Sequence, residues 1–392
     1  MPSSEKTQHS IDQAGLQKRL DSVTEAAISS GKIVGSVILI AQSGTIIYQA
    51  TSGFADRENG KSVAADTIFR FASMTKALVS TAAMVLREKG AFALDDLVTR
   101  YLPTFEPKYR SNTVCEITLR QLLSHTSGLA YGFVLPPNNE PYASLGISDG
   151  IDNPGISLDE NLRRLAGAEL LFQPGTAFLY SLATDVIGAV LETVSNQPLA
   201  QVVKTHVTGP LGMADTDFVI RDRSRFACAY ADASNPGEVA RLMPDCLELR
   251  KADAGIVHYA PVRAFDESAY HSGGAGMVGT APDYLKFLEA MRKGGAPILS
   301  HDSVKLMTED QIPHLLVGEP GLGFGLGFGV VRDPIAAATS KNVGSFGWGG
   351  IYGTTYWVDP LAELSVVALT NTALEGVDGN FRSDVINAVY GV

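Results

Sequence analysis

From Ala77 to Leu86 the chain reads Ala-Leu-Val-Ser-Thr-Ala-Ala-Met-Val-Leu. This is a helix-forming run that is apolar nearly all round. Such a helix has no solvent face and must pass through the middle of a core. At its entry stands Ser73-Met74-Thr75-Lys76. Ser is a favoured N-cap, so the pattern predicts a helix opening at Ser73. Positions three apart share a helix face, which brings the Lys76 amine within reach of the Ser73 hydroxyl. A Lys on a buried helix is costly without a partner or a task. A hydroxyl beside a desolvated amine is one way to make a nucleophile at neutral pH. The competing reading is an ordinary N-cap with Lys76 on a solvated face. Ser-x-x-Lys also occurs at Ser3/Lys6, in a polar tail, and at Ser29/Lys32, where Ser30-Gly31 stops a helix; only the third copy opens an apolar helix.

The chain has 392 residues, 45% of them hydrophobic, enough for a large core in one or two domains. Its net charge of -11 argues against nucleic acid and anionic membranes as partners. Cys115, Cys228 and Cys246 have no metal or redox spacing, and the seven histidines form no His-x-x-x-His pair. We therefore expect no metal and no cofactor. The first residues lack the apolar core of a signal peptide, and no apolar run is long enough to span a bilayer. The expected location is cytoplasmic.

Helical periodicity over Ile11–Ser30 is followed by a hairpin, Val34–Ala41 and Thr45–Tyr48 about Gln42-Ser43-Gly44. Helices are expected at Leu94–Leu102, Leu158–Ala166 and Ala183–Val194. The Pro-, Asn- and Gly-rich stretch from Tyr131 to Gly155 reads as a long surface loop. Strand patterns return at Gly321–Val331, Tyr352–Val358 and Leu364–Thr370, and Asn380–Tyr390 closes the chain as a helix. Strands at both ends with helices between them predict an α+β fold: one antiparallel sheet built from both termini, flanked by helices.

Two further motifs stand at intervals behind Ser73. Tyr180-Ser181 lies at the start of the helix running to Val194. A Tyr near a helix N-terminus and a Lys is expected to ionise more easily, take the Ser73 proton and return it to a leaving group. The alternative is a core Tyr with a satisfied hydroxyl. Trp348-Gly349-Gly350 runs into Ile351; its glycines allow a close approach to the strand. The Ile351 amide can then form an oxyanion hole with the amide of Ser73. The alternative is a Gly-rich turn with Trp348 as a core anchor.

In that order, Ser73-x-x-Lys76, Tyr180-Ser181 and Trp348-Gly349-Gly350 resemble the serine β-lactamases and penicillin-binding proteins. The likeness is greatest to the family VIII carboxylesterases, which are related to class C β-lactamases. Leu123-Ser124-His125-Thr126-Ser127-Gly128-Leu129 and Gly273-Gly274-Ala275-Gly276-Met277 support it. The resemblance implies a helical domain (84–130 plus 165–216) inserted in an α/β domain (1–83, 131–164 and 217–392). It implies catalytic Ser73, Lys76 and Tyr180, with Trp348, Gly349, Gly350, Tyr131 and Phe133 around a small-molecule ester. Three departures choose the branch, the first being the absence of the export signal expected of a cell-wall enzyme. Leu182 replaces the Asn of class C enzymes, and Trp348 replaces the Lys of their Lys-Thr-Gly strand. Loss of that cation favours a neutral ester over a β-lactam or peptide carboxylate. An acyltransferase, a β-lactamase or D-amino-acid peptidase, and an inactive binding protein are the rival readings. His125 is expected to be structural.

Two other matches sit in the wrong context. Gly146-Ile147-Ser148-Asp149-Gly150 fits Gly-x-Ser-x-Gly, but loop residues flank it where a strand and a helix are required. Gly274-Ala275-Gly276-Met277-Val278-Gly279 fits a dinucleotide fingerprint without a βαβ unit around it.

Overall fold

The structure, a computed structural model, describes residues 11–392 except 111–112, 137–140, 221, 234, 236, 251–254 and 319. The Ser3/Lys6 copy of the motif lies outside the described residues. Helix α1 (Gln13–Ser29) is capped by Asp12, whose carboxylate accepts from the Ala14 amide. Strands β1 (Gly35–Gln42) and β2 (Thr45–Asp56) form the expected hairpin. Its turn places Ser43 and Gly44 at positive φ, the backbone hand that matches strand twist. Short β3 (Lys61–Ser62) and β4 (Phe69–Arg70) follow, then α2 (Thr75–Glu88). Helix α3 (Ala183–Ser195) and β5 (Val278–Gly279) precede α4 (Ala281–Arg292). Strands β6 (Leu322–Phe324), β7 (Gly329–Val331), β8 (Phe346–Gly350), β9 (Thr354–Asp359) and β10 (Leu364–Thr370) then lead to α5 (Asn380–Tyr390).

The sheet runs β6-β7-β8-β9-β10-β1-β2-β3 and is antiparallel throughout. The first and last thirds of the chain meet in its centre, where Ser36 pairs with Thr370 and Leu39 with Val367. Side chains alternate between faces, as the pleat requires. Val37, Leu39, Tyr356, Val358, Val367 and Leu369 face the large core that contains α2, α3 and α4. Ile38, Ile40, Trp357, Val366 and Ala368 face a second core closed by α1 and α5. Helix α2 is buried at every position from Thr75 to Leu86, so the helix that opened the sequence reading is the central one.

Three expectations change. Ser73 is not a cap: it sits in a 3-10 turn, Ala72–Met74, ahead of α2, and neither segment has a side-chain cap. Its hydroxyl is left for Lys76. The 94–102 helix shrinks to a single 3-10 turn, Val98–Arg100, after the Asp96 carboxylate binds the Ala93 amide and Leu97 turns extended. The described part of 131–155 is not a surface loop. Tyr131, Phe133, Leu135, Tyr142, Ser148, Asp149 and Ile151 are all buried. Its apolar side chains outweigh its turn-forming ones. Among the described residues no helix is long and apolar enough to cross a membrane.

Candidate active site

Strand β4 delivers the chain to Ser73. The Phe71 amide bonds the Met277 carbonyl (3.0 Å), and Thr354 Oγ1 donates to the Phe71 carbonyl (3.3 Å). Ala72 is held at φ +44, a left-handed conformation that a non-glycine residue keeps only under constraint. Beyond it, Tyr284 OH donates to the Met74 carbonyl (3.0 Å), and Thr75 Oγ1 accepts from the Met277 amide (3.0 Å). A strained turn clamped on both sides thus presents Ser73, which is 9% exposed.

Lys76 Nζ lies 3.2 Å from Ser73 Oγ, 2.7 Å from Tyr131 OH and 2.8 Å from the Gly274 carbonyl. The rings of Tyr180 and Tyr131 stand 4.6 and 4.8 Å from it. Burial disfavours the ammonium and brings Lys76 down to about 7, against the pull of Asp185 and then Asp149. A neutral amine can keep donating to Tyr131 and Gly274 and turn its lone pair to the Ser73 hydroxyl. The arrangement gives Lys76 the geometry and the basicity of a general base near neutrality.

Tyr180 stands just before α3, and Trp348 Nε1 donates to its hydroxyl at 3.1 Å. The expectation that Tyr180 ionises easily is reversed. Burial pushes its phenol above the ordinary value, and hydrogen bonds with Ser73 and Trp348 pull the other way. It rests protonated. Trp348 therefore does more than remove a cation: its indole N–H supports the Tyr180 oxygen. His125 bonds Ser181 Oγ through Nδ1 (3.0 Å) and packs against Phe178, Tyr180 and Phe324. Burial holds its imidazole well below the usual value, which makes it a neutral support.

Gly350 brings β8 against the Ser73 turn. A Cβ there would lie 2.1 Å from the Phe71 carbonyl oxygen. Its missing side chain serves the approach of one backbone to another, and it places Ile351 beside the Ser73 turn. Tyr259 OH holds the Ile351 carbonyl at 2.9 Å. Gly349 meets Val377 and the Thr354 carbonyl in the same way. Tyr131 is 1% exposed, and Phe133 stacks on it with ring centres 4.7 Å apart. Tyr131 thus contacts Lys76 directly, while Phe133 backs it.

Two acids that the sequence reading passed over complete the site. Asp185, on the first turn of α3, is fully buried; burial raises its carboxyl, and Ser272, the Lys76 charge and the Gly274 backbone pull the other way. Asp149 accepts from the Gly132 amide (3.1 Å), and burial raises it to about 7. A lone charge in the apolar run Ala183–Leu191 was the signal for Asp185. Asp149 was hidden inside the dismissed Gly-x-Ser-x-Gly match. Gly274 is the point on which the cluster converges: a Cβ would come within 2.5 Å of Asp185 Oδ2 and Tyr131 OH, and 3.4 Å of Lys76 Nζ.

Among the described residues the other motif matches carry no comparable cluster. Ser148 is 1% exposed, and its hydroxyl is taken by the Asp152 carboxylate and by Tyr270 OH. Ser29 and Lys32 are exposed at the end of α1. Among the described residues no group of His, Cys, Asp and Glu is placed to hold a metal ion.

The profile of the family named Beta-lactamase matches residues 20–390. Esterase EstB of Burkholderia gladioli is 44% identical over 98% of this chain and 97% of its own. The structure of EstCE1, described as a hydrolase with promiscuous acyltransferase activity, superposes with a TM-score of 0.91. It is 43% identical and covers 97% of this chain and 99% of that one. Simvastatin synthase of Aspergillus terreus shares the fold at a TM-score of 0.74 and 23% identity, over 96% of this chain and 98% of that one. With Ser73, Lys76, Tyr180 and the Trp348 strand assembled around one buried point, the chain belongs to the Beta-lactamase family, on its family VIII carboxylesterase branch.

Proposed function

We propose that the protein is a serine carboxylesterase that hydrolyses small, neutral carboxylic esters through an acyl-enzyme on Ser73. Short acyl chains are the expected class, by likeness to the branch. Neutral Lys76 takes the Ser73 proton as the serine oxygen attacks the ester carbonyl. The amides of Ser73 and Ile351 hold the carbonyl oxygen as it becomes an oxyanion. Tyr180, supported by Trp348, gives its proton to the leaving alkoxide and is reprotonated from Lys76. Water then attacks the acyl-enzyme by the reverse relay and releases the carboxylic acid. The 3.2 Å contact between Ser73 Oγ and a Lys76 amine brought down to about 7 carries this reading.

The test is a chromogenic short-chain ester. A burst of one equivalent of alcohol and an acyl mass on the Ser73 peptide are expected. Unchanged turnover in Ser73→Ala would sink the reading.

A second reading is acyl transfer to an alcohol in place of water. Ser73, 9% exposed as a residue and hydrogen-bonded to Tyr180, whose ring packs on Tyr131 and Trp348, favours it. EstCE1 is described as having such a side activity. Product partition with added acceptor alcohols separates the two.

A further inference from the structure

Arg70 ends β4, three residues before Ser73, and its guanidinium points away from the catalytic cluster into a different set of partners. Nη1 donates to the Ala227 carbonyl (2.9 Å) and Nη2 to the Pro261 carbonyl (2.8 Å). Its Nε is closed off from solvent and has no hydrogen-bond partner among the described residues. The charge also faces rings: Phe226 at 4.3 Å, Tyr352 at 5.6 Å and Phe265 at 5.9 Å. No carboxylate is ion-paired with Arg70 among the described residues. Burial lowers it to about 10, with Tyr352 and Cys228 the groups that pull it back. A half-buried Arg with only neutral oxygens and rings around it lacks a charge partner, which a charge drawn out of water ordinarily has.

Arg70 forms part of the wall of a cavity of about 450 Å³, large enough for a small organic molecule. Its apolar surface is Phe226, Phe265, Leu242 and Met243. Leu242 is 45% exposed and Phe226 and Phe265 pack edge to face at 5.3 Å. Two more cations stand around it. Arg223 is exposed, lies 4.9 Å over the Phe265 ring, and donates to the Phe265 carbonyl at 3.4 Å. Lys61 is exposed and bonds the Ser224 carbonyl. The acids that line the cavity are Asp56, engaged by Asn59, and exposed Asp245. Three cations against two acids give this pocket a positive balance on a chain of net charge -11.

We infer that this cavity is a second, non-catalytic binding site for an amphiphilic carboxylate. The apolar body of the ligand rests on Phe226, Phe265, Leu242 and Met243; its carboxylate meets the exposed Arg223 and Lys61 cations, and the charge of Arg70 behind them adds to the attraction. Guanidinium groups suit a carboxylate's two oxygens, and aromatic rings suit a flat or chain-like body. The carboxylic acids released by ester hydrolysis are of this chemical class. Arg70 links the site to the nucleophile through Phe71 and Ala72, so occupancy is expected to alter turnover without competing for Ser73.

Calorimetric titration with 4-phenylbutyrate and with its neutral amide tests the site on the full chain, and its readout does not depend on Ser73 chemistry. The acid is expected to bind in a one-to-one ratio and to inhibit noncompetitively. Its affinity should fall at least tenfold in Lys61→Ala/Arg223→Ala. The amide should bind at least tenfold more weakly to the unaltered protein. Equal binding of acid and amide would overturn the inference. So would affinity unchanged in a double variant whose melting temperature shows it folded, or inhibition that is purely competitive with ester.

Discussion

The two faces of the central sheet each bury a lysine. On one face Lys76 is brought down to about 7 among Ser73, Tyr131 and Tyr180. On the other, Lys341 is also brought down to about 7, by burial and then by Arg382, against the pull of Asp359. Its Nζ lies 5.1 Å from the Trp357 ring, in the layer closed by α1 and α5. Burial lowers both amines in the same direction, and each has a comparable cation–π contact. What differs is the company. Lys76 has a serine hydroxyl at 3.2 Å on a strained turn and two carboxylates behind it; Lys341 has no hydroxyl hydrogen-bonded to it among the described residues. A perturbed pKa thus marks burial, and a nucleophile within reach turns burial into chemistry.

The sharpest way to break this comparison is to remove each amine in turn. Lys76→Met should lower kcat/KM for a short-chain ester by on the order of 10³–10⁴, the usual contribution of a positioned base with its coupled relay. Lys341→Met should leave it within about twofold. Comparable losses in steady-state assays of the two variants would dissolve the distinction. Next in size is Gly274→Ala. Its methyl would displace Asp185 and Tyr131, the neighbours of Lys76, and a misplacement of about 1 Å is expected to cost about 10²-fold in kcat. No analogous loss is expected from a small substitution near Lys341. Trp348→Phe keeps a ring and removes the donor to Tyr180. It should lower kcat about tenfold, as loss of a hydrogen bond to a developing charge does.

The smallest effect is on stability. Between pH about 7 and the ordinary lysine value near 10.5, Lys341 is protonated in the unfolded chain and largely neutral in the folded one. The unfolded state binds more protons there, so stability rises with pH across that window. Lys341→Met should stabilise the fold by about 1–3 kcal/mol near pH 6, and the gain should shrink toward pH 10. Urea unfolding at the two pH values measures it; a gain independent of pH would contradict the assignment.

How much of this was legible follows from what each feature depends on. The apolar helix, the hairpin and the closing helix rest on periodicity, and the antiparallel sheet forms from both termini as expected; the late strands shift, since 321–331 divides into β6 and β7, and Trp348-Gly349-Gly350 lies within β8 with the turn Ile351–Gly353 after it. Ser73, Lys76, Tyr180 and Trp348-Gly349-Gly350 were visible as local motifs. The structure brings them together and adds their hydrogen bonds. What was not legible depends on enclosure. Tyr180 looked easy to ionise from its place by a helix, yet desolvation dominates. The 131–155 stretch looked like a surface because of its Pro, Asn and Gly, yet Tyr131 and Asp149 carry it inward to Lys76. Asp185 could be noticed as a charge in an apolar helix, but its neighbour is more than a hundred residues away in sequence.

The most direct test is the pH dependence of kcat/KM for a neutral short-chain ester between pH 5 and 9, measured on the unaltered protein and on Lys341→Met side by side. With Lys76 as the proposed base, active only when neutral, the rate should climb about tenfold per pH unit and level off near 7. The break should sit at the same pH in both proteins. A flat profile, or a break that vanishes with Lys341→Met, would contradict the account.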